Sequence, residues 1–247
     1  MNSRQQQITQ IVNDNKRISV SKLSEILGVS AVTIRHDLNL LESEGHLKRT
    51  HGAAVSLNND DLDSRLEVRF DTKQKLARVA AEQVEPNEAV IIEGGSANAL
   101  VARLLAERGD VTIITPSSYI AHLVRHTSAN IILLGGIYQH QGESAVGPLT
   151  KLCIDHTHFS TAFIGIDGFD ITSGFTSRDM MRADIAKHII SKQRRNIILT
   201  DSNKFGSIHS TSVVDDMNDI SMLITDYDAP EGDISFIRSS GIETVLV

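Results

Sequence analysis

Residues 18–54 read ISVSKLSEILGVSAVTIRHDLNLLESEGHLKRTHGAA, and this stretch decides the fold of the N-terminal part of the chain. Two short segments with apolar residues at helical spacing lie on either side of a break at Gly28. Gly28 takes a positive φ at low steric cost, so it predicts the end of the first helix. Ser19 and Ser30 each precede a helical segment and are good N-caps, because a serine hydroxyl accepts a free backbone N–H. The pattern therefore predicts a helix-turn-helix, with another helix over about residues 3–14 before it.

The second helix of the pair has one apolar face and one polar face. Ile34, Leu38 and Leu41 share a face and are expected to pack inward. Gly45 is expected to end this helix, and the strand-like stretch after it has a turn at His51, which predicts a two-stranded wing. The outward side chains of helix and wing suit DNA contact; the candidates are Ser30, Ala31, Val32, Thr33, Arg35, His36, Asn39, Lys48, Arg49 and His51.

The candidates fall into two roles by side-chain chemistry. Arg35 and Asn39 suit base edges in the major groove, whereas Thr33, Lys48 and Arg49 suit phosphates. The alternative is that the two arginines are ordinary surface charges, one of them paired with Asp37. Asp37 lies close to the apolar face, so we expect it to have a structural role.

Charge is unevenly distributed along the 247 residues, whose net charge is −7. Residues 1–58 contain seven Lys/Arg and five Asp/Glu, a net charge of +2, which leaves −9 for the remainder. A weakly basic head on an acidic body fits local contact with double-stranded DNA. Because one such head should bind DNA modestly, we expect a homo-oligomer, either a dimer or a tetramer.

Composition excludes several other classes of protein. The single cysteine, Cys153, allows no internal disulfide and suits a cytoplasmic location. The sequence has no apolar run near the ~20 residues of a membrane span and no apolar signal region, so no membrane contact is expected. His122 and His126 have the i, i+4 spacing of a metal pair but lack a third ligand, so neither a metal nor another cofactor is expected.

Beyond residue 85 short apolar strands alternate with amphipathic helices. This alternation predicts a doubly wound, largely parallel α/β domain, so that the whole chain is α/β with an N-terminal winged helix-turn-helix. Predicted strands cover 89–92, 111–115, 130–134, 161–166, 196–200, 222–225 and 244–246, and predicted helices cover 98–108, 118–126, 180–192 and 232–239. The expected domains are 1–58 for the head, 59–85 for a linker with a helix over 64–84, and 86–247 for the body.

Small and polar residues follow the predicted strands, and in a parallel sheet they share the carboxyl edge where ligands bind. A Gly-Gly-Ser turn leads into a helix N-terminus, which favours an anion such as phosphate. The alternative is that these glycines only make tight strand–helix turns. The candidate effector-binding residues are Glu93, Gly94, Gly95, Ser96, Ala97, Asn98, Ser117, Gly135, Gly136, Asp167, Gly168, Asp201 and Lys204.

Two motifs in the head give the chain a resemblance to a known family. VSAVTIRHDL at 29–38 and LKRTHGAA at 47–54 resemble the signature of the DeoR family of bacterial transcriptional regulators. The body resembles that family's sensor domain, which is similar in fold to sugar-phosphate isomerases. The resemblance implies that Gly95, Ser96 and Asn98 hold a phosphate. It also implies a sugar pocket lined by Asp167, Gly168, Asp201 and Lys204.

The sequence departs from the family pattern at a few positions. His36 replaces a second basic residue, and Glu93 and Ala97 replace an aspartate and a hydroxyl residue beside the phosphate turn. Arg182 and Ala186 stand where many members have Glu and Lys.

Two functions remain open. The first is a transcriptional repressor controlled by a phosphorylated sugar or related metabolite. The second is a body that retains isomerase-like catalysis, with Glu93, Asp167 or Asp201 as the general base. None of these carboxylates has an evident acid partner in the sequence, and so no catalytic residue is expected.

Overall fold

The computed structural model describes residues 3–43, 46–56 and 62–247. The chain divides into two compact units, residues 1–68 and 69–247. Gly45 is predicted to end the second helix of the helix-turn-helix, which is the recognition helix, and it lies outside the described residues. The Asn-Asp-rich part of the predicted linker also lies outside them.

The first unit is a helix-turn-helix with a small antiparallel sheet. Its elements are α1 Ser3–Asn15, β1 Arg17–Ser19, α2 Val20–Leu27, α3 Ala31–Ser43, β2 Leu47–Thr50, β3 Ala53–Ser56 and α4 Leu62–Glu67. The sheet has the order β1-β3-β2, so the wing contains one strand more than the sequence predicts. The extra strand is β1, whose Ile18 pairs with Ala54 of β3. Three residues are too few for a period-two pattern, which is why the sequence does not reveal this strand.

The predicted signals of the helix-turn-helix are present in the structure. The Ser19 hydroxyl accepts a hydrogen bond from the Lys22 backbone N–H at 3.1 Å, and Gly28 ends α2 with a φ of 64°. Ile34, Leu38 and Leu41 are fully buried, as predicted, and they pack in one core with the apolar residues of the other elements; these include Ile8, Val12, Leu23, Leu47 and Ala54.

The second unit alternates strands and helices. Its first half consists of α5 Phe70–Ala81, β4 Ala89–Ile92, α6 Ser96–Arg108, β5 Thr112–Thr115, α7 Ser118–Leu123, β6 Asn130–Leu133, β7 Ile137–Gln139, β8 Ser144–Val146 and α8 Pro148–Asp155. The second half consists of β9 Thr161–Ile164, β10 Gly168–Asp170, β11 Gly174–Ser177, α9 Met180–Ile190, β12 Arg195–Leu199, β13 Thr211–Ser212, β14 Met222–Thr225, α10 Glu231–Ser239 and β15 Glu243–Leu246.

All seven predicted strands of the body lie in one parallel sheet with the order β15-β14-β12-β9-β4-β5-β6. The chain order runs outward in one direction from β4 and in the opposite direction from β9. Right-handed crossovers then place the connecting helices on opposite faces of the sheet, which is the doubly wound arrangement. The order reverses between β4 and β9, and at this position the carboxyl ends of neighbouring strands diverge and leave a crevice.

The structure differs from the prediction for the helix within the linker. The single helix predicted over 64–84 is two helices, α4 and α5, because Arg69 adopts a left-handed conformation with φ 52° between them. The sequence also gives no sign of α8, nor of the small strands of β7–β8 and β10–β11–β13. Among the described residues no helix is long and apolar enough to cross a membrane.

Candidate functional site

The N-terminus of α3 is organised by two hydroxyl groups. The Ser30 Oγ accepts a hydrogen bond from the Thr33 backbone N–H at 3.1 Å, and the two side-chain hydroxyls lie 2.9 Å apart. Ser30 is therefore the N-cap that the sequence predicts. Thr33 is half-buried and its hydroxyl is within reach of this cap, so the start of the helix is held in a defined conformation.

The outer face of α3 presents its predicted DNA-contacting side chains to solvent. Val32 is 72% exposed, and Arg35, His36 and Asn39 are also exposed, whereas Ala31 is half-buried. Within the described part of the chain, the Arg35 side chain makes no hydrogen bond or ion pair. The face therefore combines an apolar contact, a cation and two groups that can hydrogen-bond a base edge.

The wing is joined to α3 by polar contacts. The Arg49 guanidinium donates a hydrogen bond to the Asn39 Oδ1, and the Arg49 backbone N–H donates to the Glu42 Oε1 at 2.7 Å. These contacts fix the wing beside the recognition helix. Lys48 is half-buried on β2, and His51 is exposed at the turn, so both follow the predicted wing.

Asp37 has a different partner from the ones considered in the sequence. The buried carboxylate accepts hydrogen bonds from the Arg4 guanidinium, the shorter at 2.6 Å, and from the Gln5 amide at 3.4 Å. The hydrogen bond to Asp37 raises the pKa of Arg4. The prediction that Asp37 is structural is confirmed, whereas the alternative pairing with Arg35 or Arg49 is wrong, because this carboxylate joins α1 to α3.

The crevice between β4 and β9 gathers several of the predicted effector residues. The Asn98 Nδ2 donates to the Gly94 carbonyl at 2.8 Å and to the Phe163 carbonyl at 3.4 Å. The Glu93 Oε2 accepts the Gly165 N–H at 3.4 Å, and both Glu93 and Asn98 are buried. A Cβ on Gly165 would lie 3.0 Å from the Gly94 carbonyl oxygen and 3.3 Å from the Glu93 Oε2, so a larger residue here would have to displace its neighbours slightly.

The N-terminus of α6 opens at this crevice without a side-chain cap. Gly95 is the N-cap, has a φ of 93°, and has no atom within 4 Å of the position where a Cβ would lie. The first intrahelical bond runs from the Ala99 N–H to the Gly95 carbonyl, so the N–H groups of Ser96, Ala97 and Asn98 have no partner within the helix. Asn98 also has a buried Oδ1 without a hydrogen-bond partner.

Ser117 lies at the end of β5 and caps the next helix. Its hydroxyl accepts the Ile120 N–H at 3.3 Å, and Ser117 forms an isolated bridge with Ser144. The Glu143 carbonyl accepts hydrogen bonds from the Ser118 N–H at 2.9 Å and the Ser118 hydroxyl at 3.0 Å. The loop between β7 and β8 is thereby attached to the same edge of the sheet.

Asp167 follows β9 and is held by donors from the next hairpin. Its Oδ2 accepts the Ser177 hydroxyl and the Arg178 N–H, both at 3.1 Å. Its carbonyl lies 3.0 Å from the His209 Nε2. Ser177 and His209 were not among the predicted site residues, because their link to Asp167 depends on the small sheet of β10, β11 and β13.

Two of the predicted glycines, Gly136 and Gly168, have a packing role. A Cβ on Gly136 would lie 1.9 Å from the Thr150 Oγ1, and one on Gly168 would lie 2.2 Å from the Ser207 carbonyl oxygen. The Gly135 carbonyl accepts the Thr150 hydroxyl at 2.9 Å. Close approach of neighbouring elements therefore explains Gly136 and Gly168, which is nearer to the alternative interpretation that the sequence left open, whereas a Cβ on Gly135 would have no neighbour within 4 Å.

Asp201 and Lys204 lie at the end of β12 in a short 3₁₀ turn, Ser202–Lys204. The Asp201 carboxylate accepts the Asn203 N–H at 3.1 Å, and its Oδ1 lies 3.5 Å from the Arg69 Nη1. Lys204 is half-buried in the same turn. Because β12 neighbours β9, this turn belongs to the same carboxyl edge as Asp167.

Among the residues that the structure describes, no group of three or more His, Cys, Asp or Glu side chains could hold a metal ion.

A helix-turn-helix head with an exposed recognition face, followed by a doubly wound domain with a polar crevice, defines a DNA-binding regulator with a sensor domain. The family models agree. The DeoR-like helix-turn-helix domain matches residues 4–60, and the DeoR C terminal sensor domain matches residues 69–227. The chain therefore belongs to the DeoR family of transcriptional regulators.

Curated relatives match over nearly the full length. An uncharacterized HTH-type transcriptional regulator, YulB of Bacillus subtilis, is 30% identical over 99% of this chain and 96% of its own. The putative aga operon transcriptional repressor of Escherichia coli O157:H7 is 28% identical over 99% and 93%, respectively. The L-fucose operon activator of Haemophilus influenzae is 28% identical over all of both chains. These relatives favour the regulator over the isomerase alternative.

A solved structure resembles about half of the chain. A ribose 5-phosphate isomerase from Methanocaldococcus jannaschii aligns over 55% of this chain and 54% of its own, with 20% identity and a TM-score of 0.42.

Proposed function

We propose that this regulator is a repressor whose affinity for operator DNA changes when a phosphorylated sugar binds the crevice between β4 and β9. The observation that carries the proposal is the open N-terminus of α6, where Gly95 leaves space and provides no side-chain cap, and where the first three N–H groups have no partner within the helix. A helix N-terminus of this kind attracts an anion through its N–H groups and its dipole. Lys204 adds positive charge at the same edge of the sheet.

The sugar part of the ligand is inferred from the buried polar groups around this turn. Glu93 and Asp167 provide carboxylate oxygens, and the unpartnered Oδ1 of Asn98 provides a further acceptor. Hydroxyl groups of a sugar would satisfy such acceptors, and an unsatisfied buried acceptor costs about 1–3 kcal/mol. A phosphate bound at α6 would bring sugar hydroxyls within reach of this set.

We propose that the head reads DNA through Arg35 and Asn39, with Thr33, Lys48 and Arg49 positioned on phosphates. Arg35 is exposed, and its side chain has no partner among the described residues, so it is available for a guanine. Asn39 and Arg49 contact each other, so they would approach DNA together. Ser30 would fix the start of the helix by its cap.

Coupling between the two functions requires that the effector bind one conformation of the protein better than another. The carboxyl edge is attached to Arg69, the first residue of the second unit, through Asp201, Ser202 and Asp226. A ligand that moves the 3₁₀ turn with Lys204 would therefore move Arg69 as well. This linkage gives the sensor a route to the segment that leads to the head.

We also propose that the protein is a homo-oligomer and that it works in the cytoplasm, where the DNA that it would bind is located. Large apolar side chains are exposed along the edge strand β6, on β7 and on α8; these are Ile132, Leu133, Ile137, Tyr138, Leu149 and Leu152. Association of copies would cover them, and it would raise the DNA affinity of a weakly basic head. Sedimentation of wild type and Leu133→Glu tests this: a monomeric wild type would refute it.

We propose that the sensor binds its ligand without converting it. The three carboxylates considered as general bases accept structural hydrogen bonds: Glu93 from Gly165, Asp167 from Ser177, and Asp201 from Asn203. A turnover assay on aldose and ketose phosphates would overturn this if product formed at an enzymatic rate.

Ala97 allows a direct test of the phosphate site. It is the second residue of α6 and is half-buried. An aspartate there would interact favourably with the helix dipole, and its carboxylate would occupy the position proposed for the phosphate. We expect Ala97→Asp to unfold at or above the wild-type temperature, yet to bind sugar phosphates at least about tenfold more weakly.

Ala97→Asn is the matched neutral control and should retain binding within about threefold. Calorimetry with sugar phosphates and the matching free sugars provides the comparison. Equal binding of phosphorylated and free sugars, or unchanged binding by Ala97→Asp, would contradict the proposed site.

A further inference from the structure

Arg182 lies in the first turn of α9, and its guanidinium has no partner within the described part of the chain. Its backbone N–H donates to the Asp179 Oδ1 at 2.8 Å, but no hydrogen bond or ion pair joins its side chain to a described residue. The Nε atom is buried and unsatisfied. Arg182 as a whole is half-buried, but a buried donor atom without a partner is costly, which makes this side chain a candidate for contact with a ligand.

The guanidinium lies beside the loop between β7 and β8. A Cβ on Gly142 would lie 3.0 Å from the Arg182 Nη1 and 3.3 Å from its Cζ. In the same loop, the Glu143 carbonyl accepts two hydrogen bonds from Ser118 at the N-terminus of α7. Arg182 is therefore next to a loop that is fixed to the carboxyl edge of the sheet.

Hydrogen bonds also connect Arg182 to the proposed effector site. Asp179 caps α9 and accepts the Arg182 N–H, and the Asp179 N–H donates to the Ser177 Oγ at 3.3 Å. The Ser177 hydroxyl in turn donates to the Asp167 Oδ2 at 3.1 Å. Only two residues separate Arg182 from the carboxylate predicted to contact the sugar.

A second unsatisfied atom lies in the same network. The Gln139 Nε2 donates to the Asp179 Oδ2 at 3.1 Å, while its Oε1 is buried without a hydrogen-bond partner. Arg182, through its backbone N–H, and Gln139, through its Nε2, both donate to the Asp179 carboxylate, and each also has a buried side-chain atom that remains unsatisfied. One ligand group with an anion and a neighbouring hydroxyl would satisfy both atoms.

We propose that Arg182 and Gln139 form a second anion subsite, so that the effector carries an acidic group in addition to its phosphate. The acidic group is a carboxylate or a second phosphate, which a guanidinium binds through paired N–H donors. The ligand class is a sugar-acid phosphate or a sugar bisphosphate. This inference rests on the proposed binding of a sugar phosphate at α6.

Matched ligand pairs test the subsite by calorimetry on the full-length protein. Glucose 6-phosphate is compared with 6-phosphogluconate, and fructose 6-phosphate with fructose 1,6-bisphosphate, which separates a carboxylate from a second phosphate. We expect one doubly acidic ligand to bind at least about tenfold more tightly than its monophosphate partner.

Variants assign that preference to the guanidinium. Arg182→Gln should reduce it to about twofold or less, without changing the affinity for the monophosphate by more than about twofold. Arg182→Lys should retain part of the preference for the doubly acidic ligand. This variant also provides the test if Arg182→Gln folds poorly. Arg238→Gln, which removes an exposed charge at the end of α10, is the matched control and should keep the full preference.

The possible failures are distinguishable. If monophosphates bind and neither acidic partner binds more tightly, the subsite is refuted while the proposed effector class stands. If the preference survives in Arg182→Gln, the assignment to Arg182 is wrong. If no phosphorylated sugar binds, both the proposed effector class and the subsite are contradicted.

Discussion

Arg69 donates a hydrogen bond from its Nη2 to the Asp226 Oδ2 at 2.7 Å, and this pair attaches the first residue of the second unit to the end of β14. The same guanidinium donates to the Ser202 hydroxyl at 2.7 Å and lies within ion-pair distance of Asp201 and Asp228. Asp201 and Asp226 are both buried. One arginine therefore compensates two buried carboxylates at the carboxyl edge of the sheet.

Removal of this arginine should destabilise the second unit. Arg69→Ala leaves the Asp226 and Asp201 carboxylates buried without their cation. We expect a loss of about 3 kcal/mol in the free energy of unfolding, near the lower end for a broken buried ion pair, because Arg69 is partly exposed. Urea denaturation measures this loss in the free energy of unfolding, with Arg238→Ala, which removes an exposed arginine, as the control. Equal stability of the two variants would contradict the role of Arg69.

The Asp226 carboxylate should make the stability of this unit depend on pH. Burial alone would raise the pKa of Asp226, but hydrogen bonds from Ser202 and the contact with Arg69 outweigh it and lower the pKa. Its stabilising effect is therefore fully present above the unfolded-state value of about 4 and is lost as pH falls through the lower folded-state value.

Asp226→Asn is the test of this sign. The stability of the wild type should fall more steeply than that of the asparagine variant as pH decreases below about 4. Thermal unfolding measured across that range compares the two. Parallel curves would show that Asp226 does not contribute to the pH dependence.

Arg35 should contribute more to DNA binding than a paired arginine of the same unit. Arg35→Ala is expected to weaken binding of a selected operator by about 1–3 kcal/mol and to relax specificity at one base pair. Arg17→Ala removes the same charge, but the Arg17 side chain already pairs with Glu67. Its loss should therefore weaken DNA binding less than Arg35→Ala does. Fluorescence anisotropy measures both, and equal losses would indicate a purely electrostatic contribution.

His36 stands where the family usually has a second basic residue, and it is exposed on α3. His36→Arg should strengthen DNA binding and steepen its salt dependence, since each added phosphate contact contributes about 0.9 to the slope. Binding titrations at several salt concentrations provide the slope. An unchanged slope would mean that position 36 does not reach a phosphate.

Gly168 should be essential for packing rather than for ligand contact. A methyl group there would meet the Ser207 carbonyl, so Gly168→Ala should destabilise the unit by about 1–3 kcal/mol. Gly232→Ala is the matched control, because a Cβ on Gly232 would have no neighbour within 4 Å. Thermal unfolding distinguishes them, and wild-type stability of Gly168→Ala would contradict the packing role.

Much of the fold could be predicted from the sequence because its signals are local. The N-caps Ser19 and Ser30 and the helix end at Gly28 act within a few residues. The strands of the parallel sheet are short buried apolar runs, and each of the seven was predicted within two residues at either end. The break at Arg69 was not predictable, because its left-handed conformation accompanies distant contacts with Asp226 and Ser202.

The sequence predicts which residues lie at the carboxyl edge of the sheet, but it does not predict which groups they contact. Residues that follow the strands must share the carboxyl edge of a parallel sheet, so Glu93, Asp167 and Asp201 could be named together. Their partners could not, because the partner of Asp167 lies ten residues away in a hairpin and that of Asp201 precedes the first strand of the unit. Polar residues after strands do not reveal which carboxylates are already occupied by protein donors.

The central claim is that one ligand-binding event in the sensor alters DNA binding by the head. The most direct measurement is the dissociation constant for a DNA fragment selected by this protein from a random pool, with and without a saturating sugar phosphate identified by calorimetry. We predict a change of at least about fivefold in wild type and none in Ala97→Asp. An identical dissociation constant with the ligand bound and absent would contradict the account.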